Sequence, residues 1–455
     1  MTVHGEERFV PRPALGRGAD LAKQSKLGGD GKRLPANPFP MTSFETTSAP
    51  SPLDVADGLR HRPGFAWIDS PSDGGLSLMG TDPGLILEGR PGDWGLLERE
   101  LERRRPSRPQ QGLAGGAAIG FFRFDGSFRF GFYDRPLLHD GTRWATVPGF
   151  SRNASRAPRE SLPAPIPFRP EITRDNYVAM VRRAKEYVAA GDIYQACLAH
   201  RFSAPCAGDL WPLYLALRET SPAPHAAYLA LGDETILSSS PECFLKMDGR
   251  SVMTRPIKGT RPRGSSPGED ERLARELTGS AKESAELLMI TDLERNDLGR
   301  VCSFGSVRVT RLLELERHPQ VFHLVSTVEG LLRAGVSHVA ALAACFPGGS
   351  ISGAPKKRAL EIIRELEPAP RGLFTGAIGY FGYGGGSQFN IAIRTVRVCG
   401  GRAEFHVGAG ITADSDPEQE WEETLHKASG ILKAAGIVPR EWGEGHRDRK
   451  PSLPS

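Results

Sequence analysis

Cysteine is scarce in this chain of 455 residues, which has six scattered cysteines and no CxxC pair. Zinc sites and disulfide frameworks need closely spaced cysteines, so the pattern argues against both and favours a reducing cytosol. Long apolar runs are also missing. No window approaches the length of a membrane span, and the N-terminus lacks the apolar core of a signal peptide. We therefore predict a cytoplasmic protein without membrane contact.

A strong excess of charge of one sign is missing as well. The chain has 58 Lys and Arg against 54 Asp and Glu, a formal net charge of +4. Nucleic-acid-binding proteins typically carry a clustered positive excess, so no nucleic-acid partner is expected. With 39% hydrophobic residues, the chain can bury a large core in one or two domains.

Composition changes along the chain and divides it into five segments. Residues 1–52, rich in Gly, Pro, Lys, Arg and Ser, and residues 438–455, with alternating charge, are predicted to be disordered. Residues 53–150 alternate short apolar runs with turns and form a predicted N-terminal lobe. Residues 151–170 have the Arg/Pro/Ala-rich composition of a linker, and residues 171–437 form the predicted larger lobe.

The larger lobe interleaves helices with pairs of strands, without the strict alternation of a Rossmann sheet. Its first helix is predicted to begin after Thr173 as N-cap and to end before Gly191. Further helices are predicted over Pro267–Leu298, with a possible break near its start, and over Pro417–Ala435 with Asp416 as N-cap. This pattern predicts an α+β protein with largely antiparallel sheets.

A single lysine, Lys258, lies among two prolines, one glycine and three arginines in the segment Thr254–Arg263. The prolines stiffen the segment, and Gly259 lets the backbone approach a neighbour closely. Nearby guanidinium groups disfavour an ammonium, so they are predicted to lower the pKa of Lys258 and make it a candidate amine nucleophile. The alternative is a solvated basic turn.

Two predicted helices each carry two glutamates three residues apart: Glu283 with Glu286, and Glu420 with Glu423, followed one turn later by Lys427. Residues at this spacing lie on one face of a helix, where two carboxylates are tolerated around a cation or on a solvated surface. If the helices converge, these oxygen ligands suit Mg²⁺. Otherwise they are two solvated acidic faces.

Small residues in Phe346–Pro355 form a turn before a predicted helix, where amides and hydroxyls can approach an anion. The turn lacks the Gly-Lys-Ser/Thr ending of a P-loop, and Gly408–Gly410 is an equally weak signal. Arg394 lies in the apolar run Ile391–Thr395. A cation there needs a carboxylate, which belongs either to the protein or to a ligand.

Together these segments resemble the chorismate-utilising enzymes, and within them the aminodeoxychorismate synthase component I branch. They follow the family's order: Gly191–Gln195, Ser239–Glu242, Pro256–Arg263, Leu288–Gly299, Pro347–Lys356 and Gly408–Ser415. The region 53–150 resembles the family's N-terminal portion more weakly. The resemblance implies an α+β fold with two stacked, largely antiparallel sheets flanked by helices and an active-site cleft between them.

The resemblance also implies roles for single residues in a cleft that binds chorismate and Mg²⁺. Glu242 would protonate the departing 4-hydroxyl group, Lys258 would attack C2, and His323 matches a histidine that anthranilate synthases use around pyruvate elimination. The implied Mg²⁺ ligands are Glu286 and Glu423, with Glu283 and Glu420 adjacent and acting through water. The implied substrate contacts are Gln195, Thr260, Ser350, Phe374, Arg394, Gly408, Gly410 and Lys427.

Two positions separate the branches of this family, and a third also points away from anthranilate synthases. Gln195 stands where isochorismate- and salicylate-forming relatives have a water-activating lysine. Lys258 stands where anthranilate synthases usually have alanine, and Phe374 where they have tyrosine. The implied reaction adds ammonia at C4 through a Lys258 adduct and yields 4-amino-4-deoxychorismate for 4-aminobenzoate and folate biosynthesis. The alternatives are anthranilate synthase component I, for tryptophan biosynthesis, and a catalytically silent chorismate-binding relative.

The ammonia needs a source. The sequence has no triad-type glutaminase motif, so the resemblance implies a separate glutamine amidotransferase subunit as partner. A separate aminodeoxychorismate lyase would act on the product and release pyruvate.

Overall fold

The computed structural model describes residues 50–70, 75–107, 113, 115–145 and 164–437. The predicted C-terminal tail, nearly all of the predicted N-terminal extension and most of the predicted linker lie outside these residues. The described residues all belong to one compact unit.

The α-helices of the described residues lie between the strands along most of the chain. They are α1 Pro52–Leu59, α2 Trp94–Arg103, α3 Arg174–Ala189, α4 Trp211–Thr220, α5 Pro267–Thr278, α6 Ala281–Gly299, α7 His338–Cys345, α8 Lys356–Leu366 and α9 Pro417–Ala434. None of these helices combines the length and the apolar character needed to cross a bilayer.

The strands come mostly in consecutive antiparallel pairs. In chain order they are β1 Ala66–Asp69, β2 Ser77–Gly80, β3 Leu85–Gly89, β4 Ala117–Phe122, β5 Phe128–Tyr133, β6 Leu137–His139, β7 Arg169–Pro170, β8 Gln195–Pro205, β9 His225–Leu231, β10 Glu234–Ser240, β11 Cys243–Asp248, β12 Ser251–Arg255, β13 Ile257–Pro262, β14 Arg308–Arg317, β15 Val321–Leu331, β16 Gly353–Ala354, β17 Ala377–Gly382, β18 Gly386–Ile391, β19 Thr395–Cys399 and β20 Arg402–Ile411.

These strands form two antiparallel sheets, which confirms the predicted α+β class. Sheet 1 runs β16-β8-β20-β19-β10-β9-β1-β2-β6, with β7 beside β8. Sheet 2 runs β13-β15-β12-β11-β18-β17-β4-β5-β3, with β14 beside β15. Because β1 pairs with β9 and β4 pairs with β17, strands from the N-terminal part of the chain extend both sheets.

Helices cover the outer face of each sheet and bury its apolar side chains. One core cluster joins sheet 1 to α1, α4 and α9, and another joins sheet 2 to α2, α6 and α7. The two sheets contact each other through polar groups. Arg129 on β5 donates to the Leu231 carbonyl, and Asn390 on β18 donates to the His225 carbonyl. Helices α6 and α9 also line the space between the two sheets, α6 with Glu286 and α9 with Glu423.

Capping residues begin the helices where the sequence predicts. Thr173 accepts from the Asn176 amide at the start of α3, and Asp416 accepts from two amides at the start of α9. The predicted helix over 267–298 is two helices, because Ser280 caps a new helix directly after the end of α5. This second cap fixes the direction of α6, which carries the first glutamate pair.

Candidate active site

A cleft of about 700 Å³ lies between the two sheets and is lined by residues of β13, β15, β20, α6 and α9. All the predicted site residues line this cleft except Gln195 and Glu420, which lie behind its wall. Segments far apart in the sequence therefore meet at one place. Helices α6 and α9 approach each other here, since Lys282 on α6 lies 3.9 Å from Glu420 on α9.

Lys258 lies on β13 and not in a solvated turn. β13 pairs with β15, and the register shifts at Gly259, whose φ is 74°. The Lys258 side chain is 16% exposed, and its Nζ donates to Glu286 Oε1 at 2.5 Å. The structure thus excludes the basic-turn alternative and places the amine in the cleft.

The prediction that neighbouring arginines lower the pKa of Lys258 is wrong. Burial lowers this pKa, but the Glu286 carboxylate outweighs burial, so the net shift is upward. Lys258 is therefore an ammonium here. The three arginines are neutralised by carboxylates from other segments: Arg255 by Glu316, Arg261 by Glu276 and Arg263 by Asp270.

Each of the four predicted metal ligands has a basic partner. The pairs are Glu286 with Lys258 at 2.5 Å, Glu423 with Lys427 at 2.6 Å, Glu283 with Arg261 at 3.9 Å and Glu420 with Lys282 at 3.9 Å. Burial raises the pKa of Glu283 and of Glu420. Burial also raises the pKa of Glu286 and of Glu423, but the charge of the lysine partner outweighs burial in each case. The net shift of both pKa values is therefore downward. The principal pair is therefore ionised.

The donor chemistry of these carboxylates fits Mg²⁺, which usually binds one or two carboxylates together with substrate oxygens and water. Within the described ranges, however, no three His, Cys, Asp or Glu side chains are arranged around one point as metal ligands. Lys258 and Lys427 are paired with the two principal carboxylates instead. To bind a cation, Glu286 and Glu423 must exchange these lysines for it.

Glu242 follows β10 and is buried, with 6% of its surface exposed. Burial raises the pKa of Glu242 to about 7, although Ser350, Lys258 and the Ile257 amide oppose the shift. Glu242 can therefore both hold and release a proton near neutral pH. A buried carboxyl with this pKa is suited to act as a general acid.

His323 is neutral at physiological pH. Burial lowers its pKa to about 3, and the charge of Arg394 acts in the same direction. Its Nδ1 lies 3.0 Å from Thr260 Oγ1. His323 can therefore act through hydrogen bonds of the neutral ring but does not supply an imidazolium.

Arg394 lines the cleft with a charge that no described carboxylate neutralises. None of the described carboxylates forms an ion pair with it, and burial lowers its pKa. Of the two alternatives that the sequence left open, a ligand carboxylate is thus favoured. The backbone of Arg394 has φ 49° and that of Thr375 has φ 60°, a left-handed conformation that costs about 1–3 kcal/mol in non-glycine residues and clusters at functional sites.

Because Gly410 has no side chain, the Gln195 side chain can pack against it and contact Glu286. A Cβ on Gly410 would lie 2.1 Å from Gln195 Nε2, which donates to Glu286 Oε1 at 2.5 Å. Gln195 therefore contacts Glu286 and not the cleft itself. Gly408 acts through its carbonyl oxygen, which accepts from Lys427 Nζ at 2.9 Å. Both glycines help to fix the charged side chains.

The glycine-rich turn contains a short 3₁₀ helix, Gly349–Ile351. One of its amides donates a hydrogen bond to a carboxylate of the protein. The Gly349 amide donates to Glu294 Oε1 at 2.9 Å. Ser350 lies next to Glu242 and lowers its pKa, although the buried Ser350 Oγ forms no hydrogen bond of good geometry with any described residue. Phe374 stacks on His406, with 5.2 Å between the ring centroids, and both rings line the cleft.

A buried cluster of charged residues, which was not predicted, lies below this turn and is formed by Glu294, Asp297 and Lys356. Lys356 forms an ion pair with Asp297 and donates to the Pro347 carbonyl at 2.7 Å. A signal was present: Glu294 and Asp297 continue the helix face that starts with Glu283 and Glu286. Carboxylates that recur on one face of a helix, beyond the pair in the cleft, thus continue below the cleft as a second layer of charge.

Comparison with known proteins agrees with this geometry. Anthranilate synthase component 1 of Thermus thermophilus is 49% identical over 271 residues, 60% of this chain and 59% of that protein. Aminodeoxychorismate synthase component 1 of Escherichia coli is 41% identical over 369 residues, 74% of this chain and 81% of that protein. The chain spans about three fifths of the length of the Thermus relative that it matches.

The fold is shared with a solved structure, anthranilate synthase component I from Streptococcus pneumoniae. The TM-score is 0.69 at 30% sequence identity, over 78% of this chain and 92% of that chain. The family model described as chorismate binding enzyme matches residues 111–433, which include every predicted site residue. The chain belongs to the family of chorismate binding enzymes.

Proposed function

We propose that the chain converts chorismate and ammonia to 4-amino-4-deoxychorismate, the reaction implied by its resemblance to aminodeoxychorismate synthase component I. The observation that carries the proposal is the position of Lys258 Nζ in the cleft, 2.5 Å from Glu286. The anthranilate-forming branch is expected to have alanine at this position. Once deprotonated, a lysine amine that lies in a cleft can act as a nucleophile towards a substrate bound there.

The chemistry needs two displacements. The Lys258 amine forms a bond to C2 while the C4–O bond breaks, and Glu242 gives its proton to the departing hydroxyl, which leaves as water. Ammonia then forms a bond to C4 and the C2–N bond to Lys258 breaks, which restores the enzyme amine. The new ammonium group at C4 gives one proton back to Glu242, which restores the acid. The enolpyruvyl group stays intact, and the net change is chorismate plus ammonia to product plus water.

Two features of the cleft prepare this reaction. Arg394 has no carboxylate partner among the described side chains, so it is available for a carboxylate of chorismate. Glu242 is partly protonated at neutral pH because its pKa is about 7. The pair with Glu286 holds Lys258 as an ammonium, so the amine forms only after Glu286 is no longer its partner.

Mg²⁺ is part of the proposal. Glu286 and Glu423 would hold it, and Glu283 and Glu420 would support it through water. When bound, the ion would supply positive charge to the carboxylate on the chorismate ring.

The proposed partner is a separate glutamine amidotransferase subunit that supplies ammonia. The proposed product requires a lyase to become 4-aminobenzoate, the precursor of folate. A second candidate, anthranilate formation, is kept because the Thermus anthranilate synthase is 49% identical over the matched region.

The product distinguishes the two candidates. With chorismate, Mg²⁺ and ammonium, and without a lyase, we expect 4-amino-4-deoxychorismate as the main product and no release of pyruvate. Mass spectrometry of the reaction mixture, together with a pyruvate assay, makes the measurement. Added aminodeoxychorismate lyase should then convert the product to 4-aminobenzoate. Anthranilate with an equal amount of pyruvate would instead assign the chain to the other candidate, and unchanged chorismate would reject both.

The pKa of Glu242 predicts how stability depends on pH. The value of about 7 in the folded chain lies above the usual 4.5, so the folded state binds this proton more tightly than the unfolded state. The resulting stability is fully present below pH ~4.5 and is lost as the pH rises through ~7, by an amount on the order of 3 kcal/mol. Glu242→Gln, which cannot ionise, should lose less stability than the wild type over this interval.

Thermal unfolding measured from pH 5 to pH 8.5 tests this prediction. The difference in melting temperature between Glu242→Gln and the wild type should grow in favour of the variant as the pH rises. Glu422→Gln, at an exposed position, is the control, and its melting temperature should depend on pH as that of the wild type does. Parallel curves for Glu242→Gln and the wild type would show that Glu242 does not hold a proton in the folded chain.

A further inference from the structure

Helix α6 carries carboxylates at two levels. Glu283 and Glu286 line the cleft near its start, whereas Glu294 and Asp297 are each 2% exposed near its end, below the turn that carries Ser350. A buried carboxylate is costly unless it is bonded. The bonds that these two carboxylates make therefore indicate what they do.

Both buried carboxylates hold the backbone of the turn. Asp297 does so through Lys356, whose Nζ also donates to the Pro347 carbonyl at 2.7 Å. Glu294 does so directly, since its Oε1 accepts from the Gly349 amide at 2.9 Å. A Cβ on Gly349 would lie 3.0 Å from this oxygen, so glycine permits the close approach.

The backbone that Glu294 holds is adjacent to the proposed general acid, Glu242. Ser350 follows Gly349, and its hydroxyl lies beside Glu242 and helps to lower its pKa. The Ser350 Oγ is buried and makes no hydrogen bond of good geometry with any described residue. Its place is therefore set by the backbone and not by its own bonds. The other oxygen of Glu294, Oε2, likewise has no hydrogen-bond partner in the described ranges.

We propose that Glu294 is a positioning residue: by accepting from the Gly349 amide it fixes the Ser350 hydroxyl against the Glu242 carboxyl. The role rests on the proposed function, because it concerns the acid of that reaction. It needs an acceptor oxygen at one place and does not need a charge. This requirement separates the proposal from a general contribution of Glu294 to folding.

Three substitutions of Glu294 separate position from charge. Glu294→Gln keeps an acceptor oxygen at the same place and should stay within about threefold of the wild type. Glu294→Met has a similar length and no acceptor, and Glu294→Asp withdraws its carboxyl from Gly349. Both should lose about 10–100-fold in kcat/KM for chorismate consumption, the range typical of residues that orient a site. Asp292→Asn, on the exposed side of the same helix, is the control and should change nothing.

A double substitution tests the route through Ser350. If Glu294 acts through this hydroxyl, Glu294→Met combined with Ser350→Ala should be no worse than the more severe single variant. Circular dichroism and melting temperature first show which variants fold. If Glu294→Met does not fold, Glu294→Asp takes its place in the cycle.

Several outcomes would overturn the proposal. A folded Glu294→Met or Glu294→Asp variant with wild-type activity would do so, as would a Glu294→Gln variant as impaired as Glu294→Met. Additive losses in the double variant would place Glu294 outside the route through Ser350.

Hydrogen exchange separates this proposal from the proposed function. The peptide 346–352 should exchange slowly in the wild type and in Glu294→Gln, and faster in Glu294→Met and Glu294→Asp. This measurement needs no turnover. If the wild type did not consume chorismate, the proposed function would fail, whereas equal exchange in all four proteins would reject the positioning role itself.

Discussion

A Lys258→Ala variant is expected to form no covalent adduct with chorismate and to lose aminodeoxychorismate synthesis by at least ~10³-fold, because a nucleophile already held in the cleft is removed. The smaller side chain also opens the C2 face. Some attack of ammonia at C2, and a shift towards the anthranilate-type intermediate, should accompany the loss. The measurement incubates enzyme with chorismate and without ammonia, followed by intact-protein and peptide mass spectrometry.

Two matched variants separate nucleophilic attack from the ion pair with Glu286. Lys258→Arg keeps a cation against Glu286 but has no free amine, so it should also form no adduct. Lys282→Ala removes another lysine of the cleft wall, 3.9 Å from Glu420, and should still form the adduct. An adduct on any residue other than Lys258 would reject the nucleophile. A Lys258→Ala enzyme with unchanged rate and product would show that Lys258 is only the ion-pair partner of Glu286 and not a nucleophile.

The state of Lys258 shows where reasoning from sequence stops. Its place in a binding cleft was implied by the family resemblance, because the segment Thr254–Arg263 alone left a solvated basic turn open. Its pKa could not be predicted, because the charges that decide it come from other elements. The arginines beside it in sequence are neutralised by carboxylates on β14 and α5, and Glu286 on α6 contributes the decisive charge.

The fold was more accessible than the electrostatics, because the signals for helices and strand pairs are local. The caps Thr173 and Asp416 are read from single residues and their neighbours, and the structure places both as predicted. The burial of Glu294 depends instead on the turn that folds over α6 from 55 residues further along the chain. Charge partners of this kind are set by tertiary packing, which one sequence does not reveal.

The charge partners of the four predicted metal ligands, Glu283, Glu286, Glu420 and Glu423, are also set by tertiary packing. Each lies within 4 Å of a basic side chain of the chain, so each carboxylate already has a cationic neighbour without a metal ion. A divalent cation that takes Glu286 and Glu423 competes with Lys258 and Lys427 for them. The strength of Mg²⁺ binding should therefore depend on the lysines as well as on the glutamates.

Glu286→Ala and Glu423→Ala are each expected to abolish most Mg²⁺-dependent turnover, by more than ~100-fold. Glu283→Ala and Glu420→Ala should cost less, about 10–100-fold, because they are proposed to act through water. Glu422→Ala, on the exposed side of α9, should have no effect. Turnover measured against Mg²⁺ concentration gives the ranking, and isothermal titration with Mg²⁺ alone gives the affinity without any reaction.

Calorimetry also distinguishes a metal ligand from a residue that only balances Lys258. If Glu286 holds the cation, Glu286→Ala should lose Mg²⁺ binding, whereas Lys427→Met should bind Mg²⁺ more tightly because Glu423 no longer has a competing cation. Unchanged Mg²⁺ affinity in both Glu286→Ala and Glu423→Ala would show that the ion binds elsewhere. Normal turnover with normal Mg²⁺ dependence in either variant would remove that glutamate from the set of ligands and leave it the role of counter-ion to its lysine.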